Sequence, residues 1–293
     1  MYKKLFIPGP THVRDEILQA QAAPMIGHRA KEYSDLQGEV TPKLQQLLRT
    51  QQHVYLFASS SSGVMEGSVR QASTKRILCT VLGAFSKRWH QMTVANGVPC
   101  DKLEVEMGQA ITVDLVDEAL SKDDYDAITL CHNETSTGVM NPIKDIAALI
   151  HEKYPDVVIL VDAVSGMAGT EIEFDAWGLD VCLAGVQKCF ALPPGLTVAA
   201  VSDRARERAL QVPNRGHYFA YDQMDKKYDA HQTPATPAIS LIQALNKQMD
   251  DIFAEGLEQR WQRQLDMAEF VRAWARKNFA LYADARYLSN TVT

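Results

Sequence analysis

Along most of the chain, short runs of β-branched and apolar residues alternate with amphipathic stretches, and no internal repeat is visible. Residues 54–58, 76–82, 102–106, 127–131, 157–161, 181–184 and 198–201 read as seven strands. Helices fit between several of them, at 63–72, around 86–95, at 113–120 and at 143–153. Strands this apolar are buried on both faces, and helix-length crossovers join parallel neighbours. The pattern therefore predicts an α/β fold with a mainly parallel sheet flanked by helices. After residue 202 it changes: 203–210 is helical, 213–237 is an irregular stretch rich in Tyr, His and Pro, and 238–278 reads as one long helical run. Thr291, Val292 and Thr293 read as the start of a strand. Ligands of parallel sheets bind where strands end and loops begin, so chemistry is sought there.

Composition narrows the class. Apolar residues make up 46% and charged residues 23% of the 293, a globular balance. A net charge of −6 disfavours nucleic acid or an anionic membrane as the main partner. Apolar runs are far shorter than a bilayer span, and Pro8, Gly9 and Pro10 interrupt any signal-peptide core. The five cysteines are scattered without CxxC spacing, which argues against a disulfide framework or zinc site and for a reducing cytoplasm.

Four strand ends carry candidate chemistry. Ser59–Ser62 and Gly63 lie between a strand and a helix, where backbone N–H groups can face an anion; an ordinary helix cap explains the serines equally well. Asp162 ends an apolar strand, either as a turn residue or as a carboxylate awaiting a cationic partner. Lys188 sits among Val186, Cys189, Phe190 and Leu192, ahead of Pro193-Pro194-Gly195. Burial there would lower its pKa and favour amine chemistry. His132-Asn133-Glu134-Thr135-Ser136-Thr137-Gly138 is dense in hydrogen-bonding groups, but no second His or Cys lies at zinc-ligand spacing. A serine-hydrolase reading lacks the GxSxG elbow.

Taken together these segments resemble the class V aminotransferases, which are fold-type-I pyridoxal-phosphate enzymes. FIPGPT from Phe6, MIGHR from Met25, HNETSTGV from His132, VDAVSG from Val161 and the Gln187-Lys188…Pro-Pro-Gly segment occur in the family's order. The alanine/serine–glyoxylate (or pyruvate) branch is the most similar. The resemblance implies pyridoxal phosphate as cofactor and a seven-stranded sheet. It implies Lys188 as the Schiff-base lysine and Asp162 as the partner of the pyridine nitrogen. Ser60, Ser61 and Ser62 match the phosphate loop, Phe85 the ring-stacking aromatic, and Thr135 and Gln187 polar contacts to the cofactor. Gly9 and His28 match substrate-side positions. Tyr228 and Thr236 match groups that reach the phosphate from a second copy in a homodimer, with the aromatics of 213–237 at the interface. No metal is implied.

Two departures accompany the resemblance. The loop is four serines with Gly63 late, although a tight positive-φ turn favours glycine. The implied architecture is an arm (1–20), a large cofactor domain (21–255) and a linking helix with only the start of a small C-terminal domain (256–293). The arginine that clamps the substrate carboxylate has no match here. The implied reaction moves an amino group between a small amino acid (alanine or serine) and a 2-oxo acid (glyoxylate or pyruvate), by ping-pong half-reactions. Alternatives are a lyase, desulfurase or hydrolase on the same fold, or a catalytically silent subunit that binds a partner.

Overall fold

The computed structural model describes residues 4–293. The N-terminal arm leads into α1 (Asp15–Gln21) and α2 (Lys31–Leu48). Strands and helices then alternate through β1 (His53–Phe57), α3 (Ser61–Ala72), β2 (Ile77–Val81), α4 (Ala84–Ala95), β3 (Cys100–Glu104), α5 (Val113–Leu120) and β4 (Ala127–Cys131). A small hairpin of β5 (Asn133–Glu134) and β6 (Val139–Met140) follows, then α6 (Ile143–Lys153), β7 (Val158–Asp162), β8 (Val181–Gly185) and β9 (Thr197–Val201). Beyond the sheet come α7 (Asp203–Gln211), α8 (Tyr221–Tyr228), α9 (Ile239–Glu255) and α10 (Leu257–Asn278).

The seven-stranded sheet has the order β1-β9-β8-β7-β4-β2-β3. Only β9 runs against its neighbours; the other pairings are parallel. The two-residue period of the strands divides their side chains between two cores. Leu56, Ile128, Ile159, Val161 and Cys182 pack with Tyr33, Leu44, Ile146 and Leu245 from α2, α6 and α9. Tyr55, Phe57, Cys79, Leu160 and Leu183 pack on the other face with Val64, Val69 and Trp89 from α3 and α4. Both faces are covered, which is why the central strands carry no polar alternation. Register aligns the carboxyl ends: Cys131 pairs with Asp162, and Asp162 with Leu183.

Several local expectations are corrected. α2 was masked by Gly38 and Pro42, yet it buries Tyr33, Gln37, Val40, Leu44 and Leu47 at helical spacing. Gly38 is the position where the His231 ring approaches, 3.2 Å from where a Cβ would stand. The 213–237 stretch is not wholly irregular, since it contains α8 and buries Tyr221 and Met224. The long helical run at 238–278 breaks at Gly256, whose φ of +89° an L side chain rarely adopts. β3 starts two residues earlier than predicted and is half exposed, with a Lys102–Glu104 ion pair on the sheet edge. Thr291–Thr293 forms no strand: the Thr291 and Val292 N–H groups donate to the Ser289 hydroxyl and the Thr291 hydroxyl to Ser165 O, so side chains replace a ladder. No helix among the described residues is long and apolar enough to cross a membrane.

Candidate active site

A cavity of about 190 Å³ opens at the carboxyl edge of the sheet. Ser60, Ser61 and Ser62 enter it from the turn after β1, Phe85 and Arg88 from α4 after β2, and Asn133 and Thr135 from the loop after β4. Asp162 closes β7, and Gln187 and Lys188 follow β8. Five strand ends thus converge on one small space, as the topology requires of a parallel sheet. Ser60, Ser61, Ser62, Phe85, Thr135, Asp162, Gln187 and Lys188, all singled out from sequence, are brought together here.

Asp162 is 4% exposed. Its carboxylate accepts the Val164 N–H at 2.9 Å, and no cation among the described residues pairs with it. Burial, only partly offset by that bond, pushes its pKa up to about 6. At the far end, Ser60 begins α3 without capping it through its side chain. Among the described residues, the first-turn N–H groups of Ser61 and Ser62 have no acceptor, and the buried Ser61 hydroxyl has no partner either. The serines keep ordinary backbone angles, so the expected need for a positive-φ glycine is corrected. Gly63 serves a close approach instead: a Cβ there would stand 2.3 Å from Ser59 Oγ and 2.7 Å from Phe219 Cζ.

Glu134 is a site residue whose role the sequence did not reveal. It is fully buried and accepts the N–H groups of Phe85 (3.3 Å) and Ser86 (2.9 Å), fixing the first turn of α4 and with it the Phe85 ring. A glutamate three residues past the apolar strand 127–131 was the available hint. Arg88 lies over Phe85 at 5.1 Å from the ring centroid, and Lys188 Nζ at 5.9 Å. Thr135 and Ser165 share a hydroxyl hydrogen bond of 2.6 Å. Asn133 donates to Ser289 Oγ at 2.7 Å while its own carbonyl oxygen, also buried, is unmet. Burial lowers the His132 pKa to about 4, so its ring is neutral at physiological pH.

Lys188 is half-buried and stands between this cavity and an outer one of about 650 Å³. Burial lowers its pKa. Its Nζ donates to Pro8 O at 2.5 Å, so the arm lies against the amine. Gly9 has φ +134°, and a Cβ there would stand 2.6–2.8 Å from the lysine side chain. The outer cavity is walled by Thr11 and Arg14, by Ser165 and Cys189, by Gln248, Asp251 and Glu255 of α9, by Arg260 and Arg263 of α10, and by Thr291.

Three candidates lie elsewhere in this chain. His28 lines neither cavity. Tyr228 stacks on His53 at 3.7 Å and accepts the Val54 N–H, at the start rather than the end of β1. Thr236 is exposed beside a separate small cleft with Phe57 and Tyr218. The interface reading of the nearby aromatics is corrected in part. Tyr221 is buried and Phe219 fills the space left by Gly63 and Gly67, because α8 folds them onto α3 of their own chain.

The model of the family "Aminotransferase class-V" matches residues 14–278. The chain belongs to the class V aminotransferases. This aminotransferase is 36% identical to an uncharacterized aminotransferase of Methanocaldococcus jannaschii, over 99% of the chain and 77% of that protein. It is 32% identical to a serine–glyoxylate aminotransferase of Hyphomicrobium methylovorum, over 99% of the chain and 74% of that protein. The solved alanine–glyoxylate aminotransferase of Nostoc sp. superposes with a TM-score of 0.90 at 25% identity, covering 97% of this chain and 77% of that one. The fold is that of the fold-type-I pyridoxal-phosphate aminotransferases, and pyridoxal phosphate is the cofactor.

The residues present fit that group. An unpaired buried carboxylate suits a protonated ring nitrogen, unmet N–H groups with an orphaned hydroxyl suit a phosphate, and a half-buried amine suits a carbonyl carbon.

Proposed function

We propose that Lys188 and Asp162 are the central pair of a transaminase for small amino and 2-oxo acids. The observation that carries this is the inner cavity, where a pKa-lowered amine and a buried carboxylate without an ion-pair partner line one space. Lys188 would join the cofactor covalently and later move the proton at the substrate Cα. Its depressed pKa supports a free amine able to accept that proton. Asp162 would keep the pyridine nitrogen protonated. Ser60–Ser62 would hold the phosphate on backbone N–H groups at the α3 N-terminus, Phe85 would cover the ring, and Thr135 and Gln187 would contact its polar edge. Bound there, pyridoxal phosphate supplies an electron sink for the pair released from the substrate Cα–H bond.

Gly9 lies against Lys188, which supports the arm as one wall of the substrate space beside that lysine. Alanine or serine as donor and glyoxylate or pyruvate as acceptor is the reading the related aminotransferases support. A desulfurase is disfavoured because burial pushes the Cys189 thiol up to about 11, which leaves no thiolate at neutral pH. A homodimer is proposed with Thr236 of each copy at the other's phosphate end. Thr236 is exposed, and the arm and α1 expose Phe6 (93%) and Leu18 (44%), apolar area that suits a partner surface. Five unbridged cysteines support a cytoplasmic setting.

The test is single-turnover spectroscopy of holoenzyme with L-alanine, L-serine and L-aspartate in turn. Loss of the visible cofactor band with alanine or serine, restored by glyoxylate, is expected. No loss with any donor would contradict the transaminase reading. For assembly, mixing a Lys188→Ala chain with a Thr236→Asp chain should restore activity above either parent, and no recovery would contradict a shared site.

A further inference from the structure

We infer that Arg260 is a positioning residue that locks the loop carrying Asp162 to the loop carrying Lys188. The inference rests on the roles proposed for those two residues. Arg260 lies in the first turn of α10 and is 8% exposed. Its Nε donates to Ala168 O and one Nη to Cys189 O, each at 2.7 Å, while the other Nη meets Glu255 Oε2 at 3.0 Å. Ala168 belongs to the loop that follows Asp162, and Cys189 adjoins Lys188 in sequence. One planar, permanently charged group therefore spans both loops, with its charge met by a carboxylate.

The two loops need such a tie. Ala168 has φ +69° and Ala191 φ +54°, a backbone region that alanine adopts only when its surroundings impose it. The loops also touch without spare room: Cys189 Sγ lies 3.5 Å from Ser165 O, and a Cβ on Gly169 would come within 2.7 Å of that sulfur. A small slide of one loop would change the relation of amine to carboxylate. The helix break at Gly256 separates α9 from α10 directly after Glu255, and Glu255 and Arg260 line the same cavity as Lys188. Lysine at 260 could reach one carbonyl but lacks the fork that spans two.

Arg208 provides a matched control at the opposite edge of the sheet. It donates to Asp126 O at 3.0 Å and Asp156 O at 3.1 Å, joining the approaches to β4 and β7 at their amino ends. Arg260→Met, Arg260→Lys and Arg208→Met would be prepared as holoenzymes. Each would be followed by thermal melting, by visible absorbance of the lysine–cofactor adduct against pH, and by kcat and KM with L-serine and glyoxylate. All three should melt earlier. Only the Arg260 variants should shift the absorbance midpoint, by about half a pH unit or more. They should also lower kcat about tenfold to a hundredfold, with KM changed less. If Arg260→Met fails to fold, Arg260→Lys carries the test, with the smaller shift. Arg260 variants that keep the wild-type midpoint and kcat while losing as much stability as Arg208→Met would overturn the inference. A wild-type holoenzyme without any lysine–cofactor band would instead overturn the role of Lys188, and this inference with it.

Discussion

The inner cavity of about 190 Å³ and the outer one of about 650 Å³ share Lys188 but differ in how their polar groups are satisfied. In the inner one, among the described residues, Asp162 has no ion-pair partner, and Ser61 Oγ and Asn133 Oδ1 have no hydrogen-bond partner. In the outer one each arginine is paired with a carboxylate. Arg14 meets Asp251 at 2.6 Å, and Arg260 and Arg263 both meet Glu255. Buried polar groups are nearly always hydrogen-bonded in folded proteins, so a cluster of unmet ones marks a place reserved for something else. Volume alone would point to the outer cavity. The smaller space holds the groups that need a ligand, while the larger one is a wall whose members satisfy each other.

Four substitutions would break or sharpen that contrast. Lys188→Ala should abolish the borohydride-reducible cofactor and reduce turnover by several orders of magnitude, because a covalent role has no substitute nearby. A mutant that still traps cofactor on borohydride treatment would place the adduct elsewhere. Asp162→Asn should lower kcat about a hundredfold or more. Without cofactor, the same change should raise stability at pH 8 by about 2–3 kcal/mol, the cost of a buried charge whose pKa is displaced upward. The sign follows from that displacement. The folded state holds the Asp162 proton up to about pH 6, so the wild type loses stability as pH rises from about 4 through 6 and Asn does not. Melting curves of both apoproteins between pH 4 and 8 check this, and a gap that fails to close at low pH would contradict it.

Smaller effects separate the two cavities. Ser61→Ala should weaken cofactor binding by about 0.5–1.5 kcal/mol and leave apoprotein stability unchanged or slightly higher, because its hydroxyl has no partner to lose. Equilibrium dialysis with differential scanning fluorimetry reads both. Arg14→Met should do the reverse and cost at most about 1 kcal/mol of stability, since its ion pair is half exposed. Cofactor affinity should not move, and a large loss there would show that the outer wall reaches into the inner site.

The sheet, the serine loop, Asp162 and Lys188 were legible in the sequence because they depend on local order, whereas Phe85, Thr135 and Gln187 came only from the family resemblance. An apolar strand ends, the period-two pattern stops, and the chain faces the edge at once or within three residues; Asp162, Ser60 and Lys188 all lie in that window. Strand 127–131 was read to the residue. What escaped was set by distant contacts. α2 carries Gly38 and Pro42, which weaken its local pattern, and burial against α9 restores the helix. Glu134 acquires its role only when α4 places two N–H groups over it. The outer cavity joins an arm near residue 10 to helices after residue 240, a separation no local pattern reports. The contacts of Tyr228 within its own chain were hidden for the same reason. Its spacing from Pro237 matched the family loosely, but α8 turns the ring onto His53.

The central claim is that the inner cavity holds the cofactor through Lys188. It is tested most directly by reducing the wild-type holoenzyme with borohydride, digesting it and locating the modified lysine by mass spectrometry. The account predicts a single pyridoxyl adduct on the peptide containing Lys188. An adduct on any other lysine, or none on a protein that retains the cofactor, would contradict it.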